Sequence, residues 1–247
     1  MAPTTPTAPT APAPSTPSAP AADAGLLSAG LGDVWTLPGV YAPQADTCLL
    51  ARAVRAEGVG AGADVLEVCT GSGALAVLAS RLGARVSATD ISWRAVMTAR
   101  LNAARAGQPV QVRRGDLAMP WFGRTFDLVL SNPPYVPARS PRVPARGLSR
   151  AWDAGRDGRR VVDRICAHAS ALLRPHGVLL MVHSGLCDAE ATLARLGEAG
   201  LRGTVTERVT VPFGPVLTER LPWLRAQGLL GADEDREELV VVRAERS

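Results

Sequence analysis

Residues Asn132, Pro133, Pro134 and Tyr135 end an apolar run, Phe126 to Ser131, on a polar amide, two prolines and an aromatic ring. Proline fixes φ and removes the backbone N–H, so the pair makes a rigid loop whose carbonyls are left to accept hydrogen bonds. The Asn132 side-chain oxygen and the Pro133 carbonyl can together accept both hydrogens of one planar –NH2 group. The Tyr135 ring can lie against the flat face of that group. Held in this way, a nitrogen lone pair points at an incoming electrophile, and positive charge developing on the nitrogen is shielded. A structural turn would need the prolines but not this pairing with Asn and Tyr.

Three other short stretches carry chemistry of a matching kind. Glu67 to Gly73, "EVCTGSG", joins a strand to a helix through Gly71 and Gly73. Glycine permits positive φ and close backbone approach to a ligand. The full GxGxxG fingerprint is absent, because Ala76 stands where its third glycine would fall, and packing alone also explains such a turn. Asp90 follows 23 residues after Glu67, where a carboxylate can accept both hydroxyls of an adenosine ribose; a bland helix-start acid is the other reading. Asp116 could accept the exocyclic amine of adenine while the Leu117 N–H faces a ring nitrogen, although a GD dipeptide is often a plain turn. An adenosine-type ligand facing a nitrogen clamp accounts for all four stretches, and S-adenosylmethionine is such a ligand. Its sulfonium methyl is the electrophile, displaced in line to leave a neutral thioether.

The elements that must position these residues follow from hydrophobic pattern. Strands are expected at 64–68, 85–90, 110–116, 126–131, 177–184 and 238–244, with "LRGTVTERVTV" before the last. Helices are expected from "ALAVLASRLG", from "SWRAVMTARLNAARAG" with a Ser92 cap, over 158–173 and over 187–199. This alternation predicts an α/β, Rossmann-like, mostly parallel, doubly wound sheet. Ligands of such sheets sit beyond the carboxyl ends of the strands, where all four stretches fall. Residues 1–24 form an expected disordered tail: 1–22 hold only Ala, Pro, Thr and Ser after Met1, too little to build a core. An export or glycosylation stalk is the other reading of that composition. Residues 25–247 are the expected catalytic domain.

With 47% hydrophobic residues the 247-residue chain can bury a substantial core. No stretch approaches about 18 uninterrupted apolar residues, so no membrane span is expected. Cys48, Cys69, Cys166 and Cys187 show no CxxC spacing, and His168, His176 and His183 no ligand spacing, so no metal site is expected and reduced thiols in the cytoplasm are the default. The formal charge is +4, and all 27 basic residues are arginine. That balance hints at an acidic partner, but GC-rich coding bias inflates arginine equally well. Seven arginines (139, 142, 146, 150, 156, 159, 160) face two aspartates in the stretch after the clamp, either to dock an acidic partner or as a mobile basic loop. Trp152 is read as a core residue, with cover for the substrate pocket as its other role. The acidic run within Phe213 to Glu238 is read as a solvated loop.

These residues resemble the class I methyltransferases with an NPPY motif, and within them the HemK-type (PrmC-like) protein-glutamine N-methyltransferases, in the short branch lacking an N-terminal substrate domain. "VYAPQADTCLL" (40–50), "LEVCTGSG" through "SNPPYVP", and "AWDAGRDGRRVVDR" (151–164) carry the resemblance. It implies a seven-stranded sheet with an antiparallel last strand, and S-adenosyl-L-methionine as cofactor. It implies Thr47 at the methionine end; Glu67, Gly71 and Gly73 around the methionine ammonium and ribose; Asp90 on the ribose hydroxyls; and Asp116 with Leu117 at the adenine. Asn132, Pro133 and Tyr135 would present the substrate nitrogen, with Asn132 also at the cofactor. The implied substrate is the glutamine of a Gly-Gly-Gln loop in a peptide chain release factor. Some relatives in this branch also use a small activator subunit. The clamp itself sees only a planar –NH2, so an adenine or guanine amino group of RNA or DNA is the alternative acceptor, and a non-catalytic cofactor-binding module the second alternative. One departure is Cys69, where the family usually has glycine: its Cβ either crowds the cofactor or follows ordinary strand geometry.

Overall fold

The computed structural model describes residues 30–247. The tail expected over 1–24, and the first residues of the expected domain, lie outside the described residues. Seven strands, β1 (Asp64–Val68), β2 (Arg85–Asp90), β3 (Gln111–Arg114), β4 (Phe126–Ser131), β5 (Leu173–Ser184), β6 (Leu201–Pro212) and β7 (Arg236–Arg246), form one sheet in the order β3-β2-β1-β4-β5-β7-β6. β7 runs antiparallel to both neighbours and the other pairings are parallel, as the resemblance implied. The central strands read as continuous apolar runs because helices cover both faces. Leu66, Leu130, Leu179, Leu180 and Met181 are fully buried.

Among the described residues six α-helices complete the layers: α1 (Ala45–Ala56), α2 (Ala74–Arg81), α3 (Trp93–Arg105), α4 (Arg160–Leu172), α5 (Ala189–Glu198) and α6 (Pro215–Ala226). Ser92 caps α3 by accepting from the Ala95 N–H at 3.4 Å, as its position predicted. Two helices were not anticipated. At the start of α1 the Thr47 side chain takes the Gln44 N–H at 3.4 Å. α6 occupies the 213–238 segment; Pro215 enters at its first turn, where the missing N–H costs nothing, but the internal Pro222 hides it from pattern reading. The acidic residues Asp233, Glu234 and Asp235 that follow are exposed. β5 begins at Leu173, ahead of the expected 177, and its pairing with β4 shifts register between Phe126 and Leu128.

The register brings the site together. Val68 pairs with Thr89 on one side and with Ser131 on the other, so the chain leaves β1, β2 and β4 along one edge of the sheet. Strand order reverses between β1 and β4, the crevice position for ligands in open α/β sheets.

Candidate active site

A cavity of about 1290 Å³ opens at that edge, lined by Thr47, Glu67, Gly71, Asp90, Asp116, Leu117 and Asn132 among others. A smaller cavity of about 210 Å³ adjoins it, lined by Pro133, Tyr135, Trp152 and Glu237, and sharing Tyr41, Asn132, Pro134 and Ala151 with the first. The sequence-predicted residues are thus divided: the acids and the glycine turn surround the large space, Pro133 and Tyr135 wall the small one, and Asn132 stands between them.

The turn after β1 is closed by polar bonds to its neighbours. Asp90 accepts the Gly71 N–H at 2.9 Å and the Ser92 N–H at 2.8 Å. The Thr70 N–H reaches Thr89 O at 3.0 Å. The two glycines differ in purpose. Gly71 (φ +55) has open space where a Cβ would lie, whereas a Cβ on Gly73 (φ +80) would stand 2.8 Å from Ala99 of α3. Gly71 therefore leaves the backbone approachable from the cavity, and Gly73 serves helix packing. Cys69 has φ +60, so the expectation of ordinary strand geometry is corrected: this is a left-handed position that a side chain strains.

Burial sets the charges. Glu67 is buried at the end of β1, and desolvation pushes its carboxyl up to about 8, opposed by hydrogen bonds from Thr70 and the Ala76 N–H. Asp90 is raised for the same reason, with the Ser92 and Gly71 N–H bonds and the Arg150 guanidinium pulling the other way. Asp116 is held in a bidentate pair with Arg164 of α4, at 3.1 and 2.8 Å. Each of its oxygens keeps a further lone pair for a donor from the cavity. Its neighbour Leu117 has φ +47.

The clamp is oriented by a buried acid that sequence reading overlooked. Asp46 accepts the Thr47 N–H (2.6 Å) and hydroxyl (3.1 Å) on Oδ1, and the Tyr41 (3.1 Å) and Tyr135 (3.0 Å) hydroxyls on Oδ2. Thr47 has thereby spent its one proton, so its oxygen can only accept, and it takes Asn132 Nδ2 at 3.3 Å. With its –NH2 committed to Thr47, Asn132 turns Oδ1 the other way. The chain Asp46–Thr47–Asn132 fixes which end of the amide can accept a hydrogen bond. The Tyr135 hydroxyl is tied to Asp46 and its ring is buried against the core. Asp46 stands inside the quoted stretch "VYAPQADTCLL"; an acid beside a threonine at a helix start was the signal available.

The third stretch braces the clamp. Val136 N–H bonds Trp152 O at 2.7 Å, Ala154 N–H bonds Val136 O at 3.1 Å, and Ala138 N–H bonds Gly155 O at 2.8 Å. A Cβ on Gly158 would collide with the Tyr135 carbonyl, and Cys187 Sγ donates to that same carbonyl at 2.9 Å. Arg220 of α6 donates to Pro137 O (2.9 Å) and pairs with Asp153 (2.6 Å). The arginine-rich segment is thus an excursion pinned at both ends, and residues 142–148 with Arg150 and Ala151 line the large cavity. Two of its arginines are structural: Arg159 holds Asp163 at 2.7 Å and Arg160 holds Pro141 O at 3.0 Å. Trp152 is half-buried on the wall of the small cavity. Among the described residues no group of three or more His, Cys, Asp or Glu is arranged to hold a metal ion, and no helix is long and apolar enough to cross a membrane.

Comparison with known proteins places the chain in a family. Residues 32–145 match the methyltransferase small domain family. A Methanocaldococcus jannaschii protein named for protein N5-glutamine methyltransferase activity is 30% identical over 177 residues, 71% of this chain and 88% of its own. The mouse methyltransferase HEMK2 is 37% identical over 174 residues, 67% of this chain and 81% of its own. Among solved structures, Mtq2 of E. cuniculi, in the Mtq2–Trm112 complex responsible for methylation of the eRF1 termination factor, superposes with a TM-score of 0.57. It shares 23% identity and covers 85% of this chain and 99% of its own. The Thermus thermophilus 16S rRNA N2 G1207 methyltransferase, solved with AdoMet and guanosine, has a TM-score of 0.56 at 20% identity, covering 86% of this chain and 46% of its own. With relatives of that identity and coverage, the chain belongs to the HemK-type protein-glutamine methyltransferases and is an S-adenosylmethionine-dependent enzyme.

Proposed function

We propose that this enzyme N5-methylates the glutamine of a Gly-Gly-Gln loop in a peptide chain release factor. The observation that carries the reading is the fixed Asn132 amide: Thr47 takes its –NH2 at 3.3 Å, leaving Oδ1 as an acceptor where two cavities meet. Relatives named as release factor glutamine methyltransferases support the choice of substrate.

The residues divide the work as follows. Thr47 lies at the methionine end of the cofactor; Glu67 takes its ammonium; the Gly71 backbone lies alongside it, with Gly73 keeping the turn closed against α3. Asp90 accepts from the ribose hydroxyls, and Asp116 with the Leu117 N–H reads the adenine. When bound, S-adenosylmethionine supplies an electrophilic methyl on sulfur. Asn132 Oδ1 and the Pro133 carbonyl accept the two amide hydrogens, which directs the nitrogen lone pair into the large cavity. The buried Tyr135 ring and Pro133 exclude water from that nitrogen; transfer would break the S–CH3 bond to leave a neutral thioether, and the amide proton held by Asn132 Oδ1 or the Pro133 carbonyl would pass to bulk solvent once the methylated product leaves. Preorganised acceptors need not reorient as charge develops, which is how such sites lower a barrier.

Residues 25–247 form the catalytic domain, with the tail before it outside the chemistry, and the proposed location is the cytoplasm, where release factors act. A small activator subunit is a proposed partner, prompted by the Mtq2–Trm112 complex. The test is transfer of labelled methyl to purified release factor, to a version with the loop glutamine replaced by alanine, and to ribosomal RNA and DNA. Label on the intact factor alone is expected; label on nucleic acid would overturn the substrate.

A further inference from the structure

Glu237 is the second residue of β7, next to the acidic run that reads as a solvated loop, yet it is 8% exposed and forms part of the wall of the small cavity. Its Oε1 is a buried polar atom with no hydrogen-bond partner. Buried carboxylate oxygens in native proteins are nearly always paired, and one left over asks for an explanation. The two carboxylates on this cavity have different fates: Asp46 is saturated by Thr47, Tyr41 and Tyr135, whereas Glu237 keeps an acceptor in reserve. Arginine is absent from the lining of the small cavity, while several arginines line the large one. A cavity with two acids and no cation repels phosphodiester and favours a neutral group that brings an N–H.

Resting on the proposed function above, we propose that Glu237 is a specificity-determining residue: its unpartnered oxygen accepts a backbone N–H of the acceptor polypeptide beside the target glutamine. The amide hydrogens of that glutamine go to Asn132 and Pro133, so the bond to Glu237 reads the chain that carries it. A polynucleotide has no backbone N–H to offer, and its phosphates bring negative charge towards a cavity with two acids and no cation. Desolvation and the nearby Asp46 hold the Glu237 carboxyl up, at about 7, with Ser184 opposing them. A proton on the carboxyl can be carried on the oxygen not facing the acceptor, so acceptance does not require full ionisation.

Glu237→Leu and Glu237→Gln separate this role from a structural one. The assay measures kcat and KM for the release factor, with S-adenosylmethionine affinity by calorimetry and thermal midpoint in parallel. Leucine should raise KM for the factor at least tenfold, with kcat within threefold and cofactor affinity and midpoint unchanged. Glutamine, which retains an acceptor oxygen, should hold KM within threefold of wild type. An unchanged KM in the leucine variant, with wild-type protein labelling the factor, overturns the role of Glu237 alone. So does a loss of midpoint and cofactor affinity alongside activity, which would mark a purely structural residue. Wild-type protein that does not label the factor overturns the functional reading, and this inference with it.

Discussion

Glu67→Gln should make the cofactor-free protein more stable and bind its cofactor less well. Glu67 is 2% exposed, and its carboxyl is pushed from the ordinary 4.5 to about 8 by desolvation. The folded state therefore holds a proton over a range in which the unfolded chain has released it. A raised carboxyl contributes its full share of stability below the unfolded value and loses it as pH rises through the folded one. Each pH unit in between removes about 1.4 kcal/mol, so the charge costs folding roughly 3 kcal/mol at pH 7 and roughly 5 kcal/mol at pH 9. Glutamine carries no such linkage, and its groups fit the site. Its carbonyl can take the Ala76 N–H, and its –NH2 can donate to Thr70 Oγ1, which now lies 2.5 Å from Glu67 Oε2. Urea unfolding of both proteins at pH 5, 7 and 9 measures the gain. It should be small at pH 5, about 3 kcal/mol at pH 7 and larger at pH 9. A difference that is flat across the three pH values would refute the argument, because a packing effect has no such slope. Calorimetry of cofactor binding completes the test. At pH 7 the wild type should release up to one proton to the buffer when the cofactor ammonium meets Glu67, and the variant none.

Four further outcomes are expected. Asn132→Ala should lower kcat by about 10²–10³-fold, the loss typical of removing one preorganised polar contact. Its cofactor affinity should be nearly unchanged by calorimetry, and wild-type turnover would sink the clamp. Asp90→Ala should weaken cofactor binding tenfold or more, since it removes the proposed ribose acceptor and frees the Gly71 N–H; unchanged affinity would discard that assignment. Cys69→Gly should raise stability by up to about 1 kcal/mol, as left-handed strain is relieved faster than unfolded-chain entropy is added; a lower midpoint would show that φ +60 is not strained here. Tyr135→Phe deprives buried Asp46 of one of its donors and should cost about 1–3 kcal/mol, read from denaturant midpoints; an unchanged midpoint would mean that the 3.0 Å contact carries no energy.

Local pattern was enough to place the sheet's inner strands, the helices α2 to α5, and the residues at the strand ends. Val68, Asp90 and Ser131 end apolar runs whose period and turn residues are local signals, and local signals survive without a partner. β7 was legible for the same reason, and its direction came with the family resemblance. Packing settled everything that depends on which distant residues meet. Asp46 looks like a helix-start acid beside its neighbours Tyr41 and Thr47 until Tyr135, 89 residues away, brings its hydroxyl to the same carboxylate. α6 was hidden because Pro222 argues against a helix locally, while its Arg220 is held by Asp153 and Pro137 from elsewhere in the chain. Glu237 sits beside an exposed acidic run, and strand periodicity alone turned it inward to the cavity. The strain at Cys69 likewise belongs to the turn that Asp90 and Thr89 close from the neighbouring strand. Composition and spacing name candidate groups, but burial and hydrogen-bond direction, which set their chemistry, arise only when the chain is packed.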